Sequence, residues 1–578
     1  MSRSPALFTF YCRLNGGKPS PIPSPACGGG LGWGLGSPSA ALPTSGSQSR
    51  GRSRLRVFGA AVSAVLPLLC GPAVAETGPK RGGTLEFAVL VEPGNYDCHG
   101  NISFAFLHPI APHYSTLLKF DAANYPQIIG DLAEAWSVSA DRLTYTFKLR
   151  PNILFHDGSK LTSTDVKASY ERIAHPPPGV VSARKVDYAA ISSIDTPDPR
   201  TVIFHLQWPE AEMLANFASP WNCIYSAAKL AEDPQFPKTH ILGTGPFVFG
   251  EHVKGQYWRG TRWEKYFQPG KPYLDGYRAD FMTGAAVMAG YKSGRIAAEF
   301  RGITPVQRDD LVEALGDRVE MSESPWLSTL LVSFNSKRPP FNDARVRRAL
   351  SLAIDRWGAA AKLQNSTFLK YVGGVMRPGS SMATPEAELV TIPGFSRDIA
   401  ASRDEAKRLL AEAGIHDLKL TVMVRDIPMP HYIGADLLAG SWQAIGVTTT
   451  QDRRNIWDWQ KVIDSGEFDV ALDFSGDFYD DPTIQLTKFV SHDLSSVNYS
   501  YSTDRFLDAL YIGQAVTSDP RQRAKIVRDF ERHALTEANT VPLLWWNRIV
   551  ATSAALKGWS ITPSHFIGQD LTDVWLEH

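Results

Sequence analysis

The sequence predicts an α/β protein of two lobes. Three observations carry that expectation. The chain has 578 residues, more than one hydrophobic core usually holds. Several short runs alternate polar and apolar residues as strands do, and several longer runs place apolar residues at helical spacing behind capping signals. The two kinds of run interleave without a strict repeat or an internal duplication, which is the pattern of a mixed α/β architecture. Composition is ordinary for a globular protein, with 43% hydrophobic, 11% aromatic and 20% charged residues. No stretch of 18 or more apolar residues occurs, so no membrane-spanning helix is expected.

The N-terminus reads as material to be removed. Arg50, Arg52, Arg54 and Arg56 precede an apolar run from Val57 to Leu69, and Ala73-Val74-Ala75 follows before Glu76. A basic segment, a short apolar core and an A-x-A site form a secretory signal over 50–75, with cleavage expected after Ala75. Pro67, Gly71 and Pro72 argue against the alternative of a buried helix. Cys70 raises the alternative of a lipoprotein signal, but Leu69 stands where such signals take a small residue. Residues 1–49 are dominated by Gly, Pro, Ser and Ala and hold no acidic residue, a composition that does not order itself. They are read as a disordered or misassigned extension, with translation expected to begin nearer Val57.

Removal of 1–75 takes away seven basic residues and no acidic one. It leaves 52 basic against 59 acidic side chains, a net charge of −7, which disfavours nucleic acid as a partner. Of the five cysteines only Cys98 and Cys223 remain. In an exported chain they form one disulfide or stay as two buried thiols.

Thr144 to Arg150 alternates as a half-buried strand, and Val202, Phe204, Leu206 and Trp208 repeat the pattern. His156-Asp157-Gly158 reads as a turn. Thr162 and Asp165 form a capping-box pair before Val166, Tyr170 and Ile173. Asn342 or Asp343 caps a helix through Val346, Leu350 and Ala353. Ser402 and Glu405 suggest a second capping box, with Gly414 as the stop. Pro520 takes a first helical position ahead of Val527, Phe530 and Ala534.

Four ordered stretches then resemble the family 5 extracellular solute-binding proteins, the peptide and nickel binders of ABC importers. The first runs from Leu132-Ala133-Glu134-Ala135-Trp136 through Leu143–Arg150 to Phe155-His156-Asp157-Gly158 and Leu161–Val166. The second is Gly243-Thr244-Gly245-Pro246-Phe247 with Gly270-Lys271-Pro272-Tyr273-Leu274-Asp275-Gly276. The third joins Phe334-Asn335-Ser336, Pro340-Phe341-Asn342-Asp343, Arg345–Leu350 and Ile354-Asp355-Arg356. The fourth extends from Gly466-Glu467-Phe468-Asp469 through Asp480-Asp481-Pro482 to Val541-Pro542-Leu543. Together they span about residues 82–560.

The resemblance implies a large two-lobed periplasmic binding protein of type II-like form, with a hinge and a ligand cleft between the lobes. The first lobe is expected to comprise 76–328 with 535–578 and to hold an inserted subdomain, and the second 329–534. It implies delivery of di- or oligopeptides to importer permease subunits by a periplasmic, non-membrane-spanning monomer with no cofactor. The same resemblance leaves open a non-peptide solute such as a metal chelate, an opine or a sugar, and a sensory role. Gly243 and Gly245 are read as permitting a tight turn.

A buried peptide needs an answer to each of its charges. In peptide-binding relatives an ammonium-binding Asp stands just ahead of the proline matched here by Pro482. Here Phe478 holds that position, with Asp477 one residue earlier, so Asp477 is the candidate for the ammonium and Phe478, Tyr479 and Asp480 are candidate neighbours. Arg377 is the candidate for the carboxylate, with the bidentate geometry that suits it; Arg453 and Arg454 compete. The early loop Leu90–Asp97 resembles the family's cleft lining and offers Tyr96, Asp97 and His99. Trp326, Trp457 and Trp459 are candidate aromatic walls, the last two on one face if they lie on a strand. A hydrolase is the rival class, but no G-x-S-x-G elbow or H-E-x-x-H helix occurs. His108 and His113 are read as loop residues, and no enzyme is expected.

Overall fold

The computed structural model describes residues 78–476 and 478–577. The expected signal, the extension before it and Asp477 lie outside the described residues. The architecture is mixed α/β, and one sheet of eleven strands organises it. Its order is Thr448–Arg454, Lys419–Arg425, Val470–Gly476, Val319–Phe334, Thr540–Ser553, Ala298–Glu299, Thr84–Val89, Gly276–Phe281, Tyr257–Arg262 and Phe247–Val253, with Leu369–Tyr371 also paired to Thr540–Ser553.

Two long strands connect the lobes. Val319–Phe334 and Thr540–Ser553 pair antiparallel, and their register shifts twice between Pro325 and Leu331. On one side of the shift Val319, Ile549 and Ala551 pack with Ile303 and Leu311. On the other side Leu330, Val332, Val541 and Leu543 pack with Val346, Leu350 and Leu438. A bulge at this point bends the ribbon and increases its twist, so one sheet serves two cores that face different ways. The expected boundary at 328/329 falls on this irregularity. The one at 534/535 falls inside the helix Pro520–Glu537, and the chain returns through Thr540–Ser553.

The first-lobe core draws on residues from Leu85 to Phe300 and again from Leu556 to Val574. It includes a separate antiparallel sheet ordered Ala133–Val138, Thr144–Leu149, Thr201–Leu206 and Ile191–Asp198. The alternation read in the sequence is the alternation of burial: Tyr145, Phe147, Leu149, Val202, Phe204 and Leu206 all point inward. The helix Ser163–Ala174 covers this sheet, starting at the Thr162–Asp165 capping box and burying Val166, Tyr170 and Ile173. Asp343 caps Ala344–Leu352, and Pro520 opens its helix behind Asp519.

Several local expectations are corrected. The helix Ile399–Glu412 starts one turn earlier than Ser402: Asp398 is the cap, accepting from the Ala401 N–H, and the Ser402 hydroxyl donates back to the Asp398 carbonyl. Gly243 and Gly245 serve close approach, because a Cβ on Gly243 would lie 2.1 Å from the His113 carbonyl oxygen and one on Gly245 2.4 Å from the backbone of His113 and Tyr114. His108 and His113 are core residues. His113 bonds the Phe247 carbonyl and the Trp258 indole, and burial drives both imidazoles down to about 3, so both are neutral. Cys98 and Cys223 are joined in a disulfide inside the first-lobe core. Among the described residues no helix is long and apolar enough to cross a membrane.

Candidate ligand cleft

A cavity of about 390 Å³ lies between the lobes, lined from both. Its second-lobe wall is built by neighbouring parallel strands. Lys419–Arg425 ends on Arg425, and Val470–Gly476 carries Asp473 in register beside it. Arg425 Nη2 donates to Asp473 Oδ1 at 2.8 Å, and Lys488, at the end of the short turn Leu486–Lys488, ion-pairs with the other carboxylate oxygen. Burial alone would raise the Asp473 carboxyl, but Lys488 and Arg425 outweigh it and hold the group below the usual carboxylate range. The Arg425 guanidinium sits between the Trp459 and Phe474 rings, 4.5 and 5.0 Å from their centroids. Its Nε is buried without a hydrogen-bond partner.

The first-lobe wall comes from the turn Lys185–Tyr188 and the segment leading into the helix Met213–Phe217. It presents Arg184, Asp187, Glu210, Glu212 and Asn216. Arg184 approaches Asp187 at 3.7 Å and lies over the Phe478 and Trp221 rings. Burial pushes the Glu210 carboxyl up to about 8 against the opposing bond from the Trp208 indole. Glu212 is driven well above the carboxylate range by burial and by the charges of Asp481 and Glu210; Arg523 opposes them.

The segment after Gly476 fastens one lobe to the other. Phe478 and Tyr479 belong to the second lobe's chain but pack in the first-lobe core. Tyr479 donates its hydroxyl to Asn216 Oδ1 at 3.0 Å. The Asp480 N–H donates to the Tyr125 hydroxyl, which in turn donates to the Asp480 carboxylate. Asp481 takes two bonds from Arg523, whose Nη2 also reaches Glu212 at 3.4 Å. Beside the cavity the lobes are therefore joined by contacts between side chains of both.

The residues expected at the site are placed mostly around this cavity and not on its wall. Arg377 and Asp480 pair with each other in a buried bidentate bridge, so Arg377 spends its fork on the closing segment. Tyr96 bonds His252 and packs edge-on against Trp258. Asp97 and His99 are core residues of the first lobe, engaged with Arg172, Tyr225 and the Cys223 carbonyl; from that early loop region, Ile102 reaches the cavity. Trp326 sits at the register shift, its indole donating to His565. Trp457 and Trp459 lie on a helix, Ile456–Ser465. Two residues apart on a helix are on opposite sides, so Trp457 is 76% exposed and Trp459 fully buried.

The charged residues that do line the cavity were missed. One signal for them was present: Val470-Ala471-Leu472-Asp473-Phe474 sets a carboxylate inside an otherwise apolar strand, and Val422-Met423-Val424-Arg425 ends an apolar strand on a cation. Such charges need partners. A second cavity, of about 350 Å³, is contained within the first lobe around Lys119, Asp131 and Asp570; only the interlobe one draws on both lobes.

A two-lobed fold with a cavity between the lobes is the architecture of the periplasmic binding proteins. The chain belongs to the bacterial extracellular solute-binding proteins, family 5, whose model matches residues 127–495. It is 29% identical over 376 residues to a putative ABC transporter peptide-binding protein of Brucella ovis, the match covering 62% of this chain and 66%, just under two thirds, of that relative's length. It is 26% identical over 544 residues to di/tripeptide-binding protein 2 of Pseudomonas aeruginosa, covering 87% of this chain and 96% of that one. Among solved structures, the Helicobacter pylori periplasmic binding protein DppA in complex with the peptide STSA has the same fold, with a TM-score of 0.71 at 23% identity, covering 86% of this chain and 99% of that one.

Proposed function

We propose that this protein captures a short peptide in the interlobe cavity and hands it to the permease subunits of an ABC importer, working in the periplasm after cleavage behind Ala75. The observation that carries this reading is the interlobe cavity itself. It has about 390 Å³, charged groups on both walls and apolar side chains such as Phe474, Ile484 and Phe566 between them. That volume is at the lower end of small-molecule sites, which run from about 300 to 1,000 Å³, and suits a di- or tripeptide better than a long one. The names of the Brucella and Pseudomonas relatives support the same solute class.

The register shift between Pro325 and Leu331 would act as the hinge. Contacts made only when the lobes meet bias the equilibrium toward the closed form, and a swing from 1:99 to 99:1 takes about 5.5 kcal/mol of differential affinity. The test is a thermal-shift screen of the mature protein with di-, tri- and longer peptides, paired with solution scattering. A dipeptide or tripeptide is expected to raise the melting temperature and reduce the radius of gyration. No shift with any peptide, together with a non-peptide solute released on denaturation, would replace the peptide by that solute.

A further inference from the structure

Among the described residues the two walls of the interlobe cavity are unlike: the second-lobe wall holds more cations than anions, and the first-lobe wall holds carboxyl groups that burial keeps protonated until a cation meets them. On the second-lobe wall, two cations share one anion: Arg425 and Lys488 both pair with Asp473. All three side chains are at least largely buried, and Arg425 Nε has no acceptor. A buried positive charge without a counter-charge is costly. This wall is completed by an anionic acceptor placed in the cavity.

The first-lobe wall differs. Arg184 answers Asp187. Arg523 is committed to Asp481 through two bonds of 2.7 and 2.8 Å and reaches Glu212 only at 3.4 Å. Among the described residues Glu210 takes a neutral donor, the Trp208 indole at 3.2 Å. Two carboxyl groups therefore face the cavity, Glu212 at 3.4 Å from a cation that Asp481 already holds and Glu210 against a neutral donor. This wall is completed by a cationic donor.

We infer that the cleft holds a compact zwitterion in one fixed polarity, its ammonium against Glu210 and Glu212 of the first lobe and its carboxylate against Arg425 and Lys488 of the second. The inference rests on the proposal that this cavity is the solute site, and adds which end of the solute each lobe reads. Because the two poles are on different lobes, a solute with only one charge satisfies one wall and leaves the other uncompensated on closure. A solute with both bridges the lobes electrostatically, so the requirement for two charges is itself a requirement for closure.

The experiment titrates Ala-Leu, N-acetyl-Ala-Leu and Ala-Leu-amide calorimetrically into the mature protein and into Glu210→Gln and Lys488→Met. Both substitutions remove one ionisable group and leave Arg425–Asp473 and Arg523–Asp481 intact, so both are expected to fold. In the unsubstituted protein each cap is expected to weaken binding at least tenfold. Glu210→Gln is expected to abolish most of the penalty for N-acetylation and keep that for amidation, and Lys488→Met to do the opposite. The crossed assignment, or penalties that neither substitution changes, would overturn the polarity. If Ala-Leu fails to bind, the solute released from purified protein by denaturation is titrated in its place. A released solute lacking one of the charges overturns the zwitterion while leaving the cleft as the site. A released solute that binds both variants as it binds the unsubstituted protein overturns the cleft itself.

Discussion

Two buried arginine–aspartate pairs are set in the same sheet-rich molecule at nearly the same depth, yet their surroundings differ. In the first-lobe core Arg172 grips Asp97 through both terminal nitrogens, at 3.0 and 2.7 Å. Asp97 also accepts from the Tyr225 hydroxyl and the His99 N–H. Arg172 spends its remaining Nε on the Pro234 carbonyl, and the Cys98–Cys223 disulfide lies beside the cluster. Burial would raise the Asp97 carboxyl, but Arg172 and His99 hold it below the usual range. In the second lobe Arg425 gives Asp473 one bond, Lys488 joins them, and Arg425 Nε stays without a partner beside a cavity. Residue type and burial are alike in the two pairs. What separates the two pairs is whether charges and donors balance within the protein.

The sharpest way to break this comparison is to remove the charge from each. Asp97→Asn strands Arg172 in a dry core, and an uncompensated buried charge of this kind costs about 3–5 kcal/mol. Urea unfolding of the variant should show that loss. Lys488→Met turns a two-to-one cluster into a one-to-one pair and is expected to cost less than about 1 kcal/mol, because no charge is left alone. If the two substitutions destabilise equally, the distinction between a balanced and a surplus pair fails.

The acidic wall gives a second handle, through pH. Burial pushes the Glu210 carboxyl up to about 8, so between the ordinary carboxylate range and that value the native state keeps a proton that the unfolded chain has released. Stability then falls as pH rises through this window, at up to about 1.4 kcal/mol per pH unit for one full proton. Asp97 and Asp473 act in the opposite sense: their folded carboxyls are lowered, so they stabilise above the unfolded value and lose that contribution as pH falls through the folded one. The unliganded protein should be more stable at pH 6 than at pH 8.5, and Glu210→Gln should reduce that difference, the remainder belonging to Glu212, whose carboxyl burial also raises. An unchanged slope in the variant would mean that Glu210 is not the proton-holding group.

The sequence revealed periodicity far better than partnership. Tyr145, Phe147, Val202 and Phe204 announced their sheet because alternation is a local property, and Thr162 and Asp165 announced their helix because a capping box is closed within four residues. Asp398 caps the helix that Ser402 was expected to open, because the helical backbone extends one turn further toward the N-terminus and Asp398 meets its first free N–H groups. The site was less legible, since Arg425 and Lys488 meet Asp473 across 48 and 15 residues. Arg377 stands in a stretch that faces the cleft in relatives and its fork suits a carboxylate, yet the structure gives that fork to Asp480, 103 residues away. Nothing local distinguishes an arginine that will meet a carboxylate of its own chain from one reserved for a guest. That depends on the count of charges at the finished site.

The smallest expected effect sharpens the role of the closing segment. Tyr479 donates to Asn216 across the lobes, while Asn216 Nδ2 is engaged separately with the Asp187 carbonyl. With the lobes apart, both groups would meet water, so Tyr479→Phe is expected to weaken closure and leave each lobe's own fold nearly untouched. One neutral hydrogen bond is worth about 1 kcal/mol, a loss of roughly fivefold in solute affinity. Calorimetry should register that loss with little change in the melting temperature of the unliganded protein, and scattering should show incomplete compaction at the solute concentration that saturates the unsubstituted protein. A drop in unliganded stability with affinity intact would instead give the Tyr479 hydroxyl a part in holding the first-lobe core and none in closure, and the closing contact would then rest on Asp480 with Tyr125 and on Arg523 with Glu212.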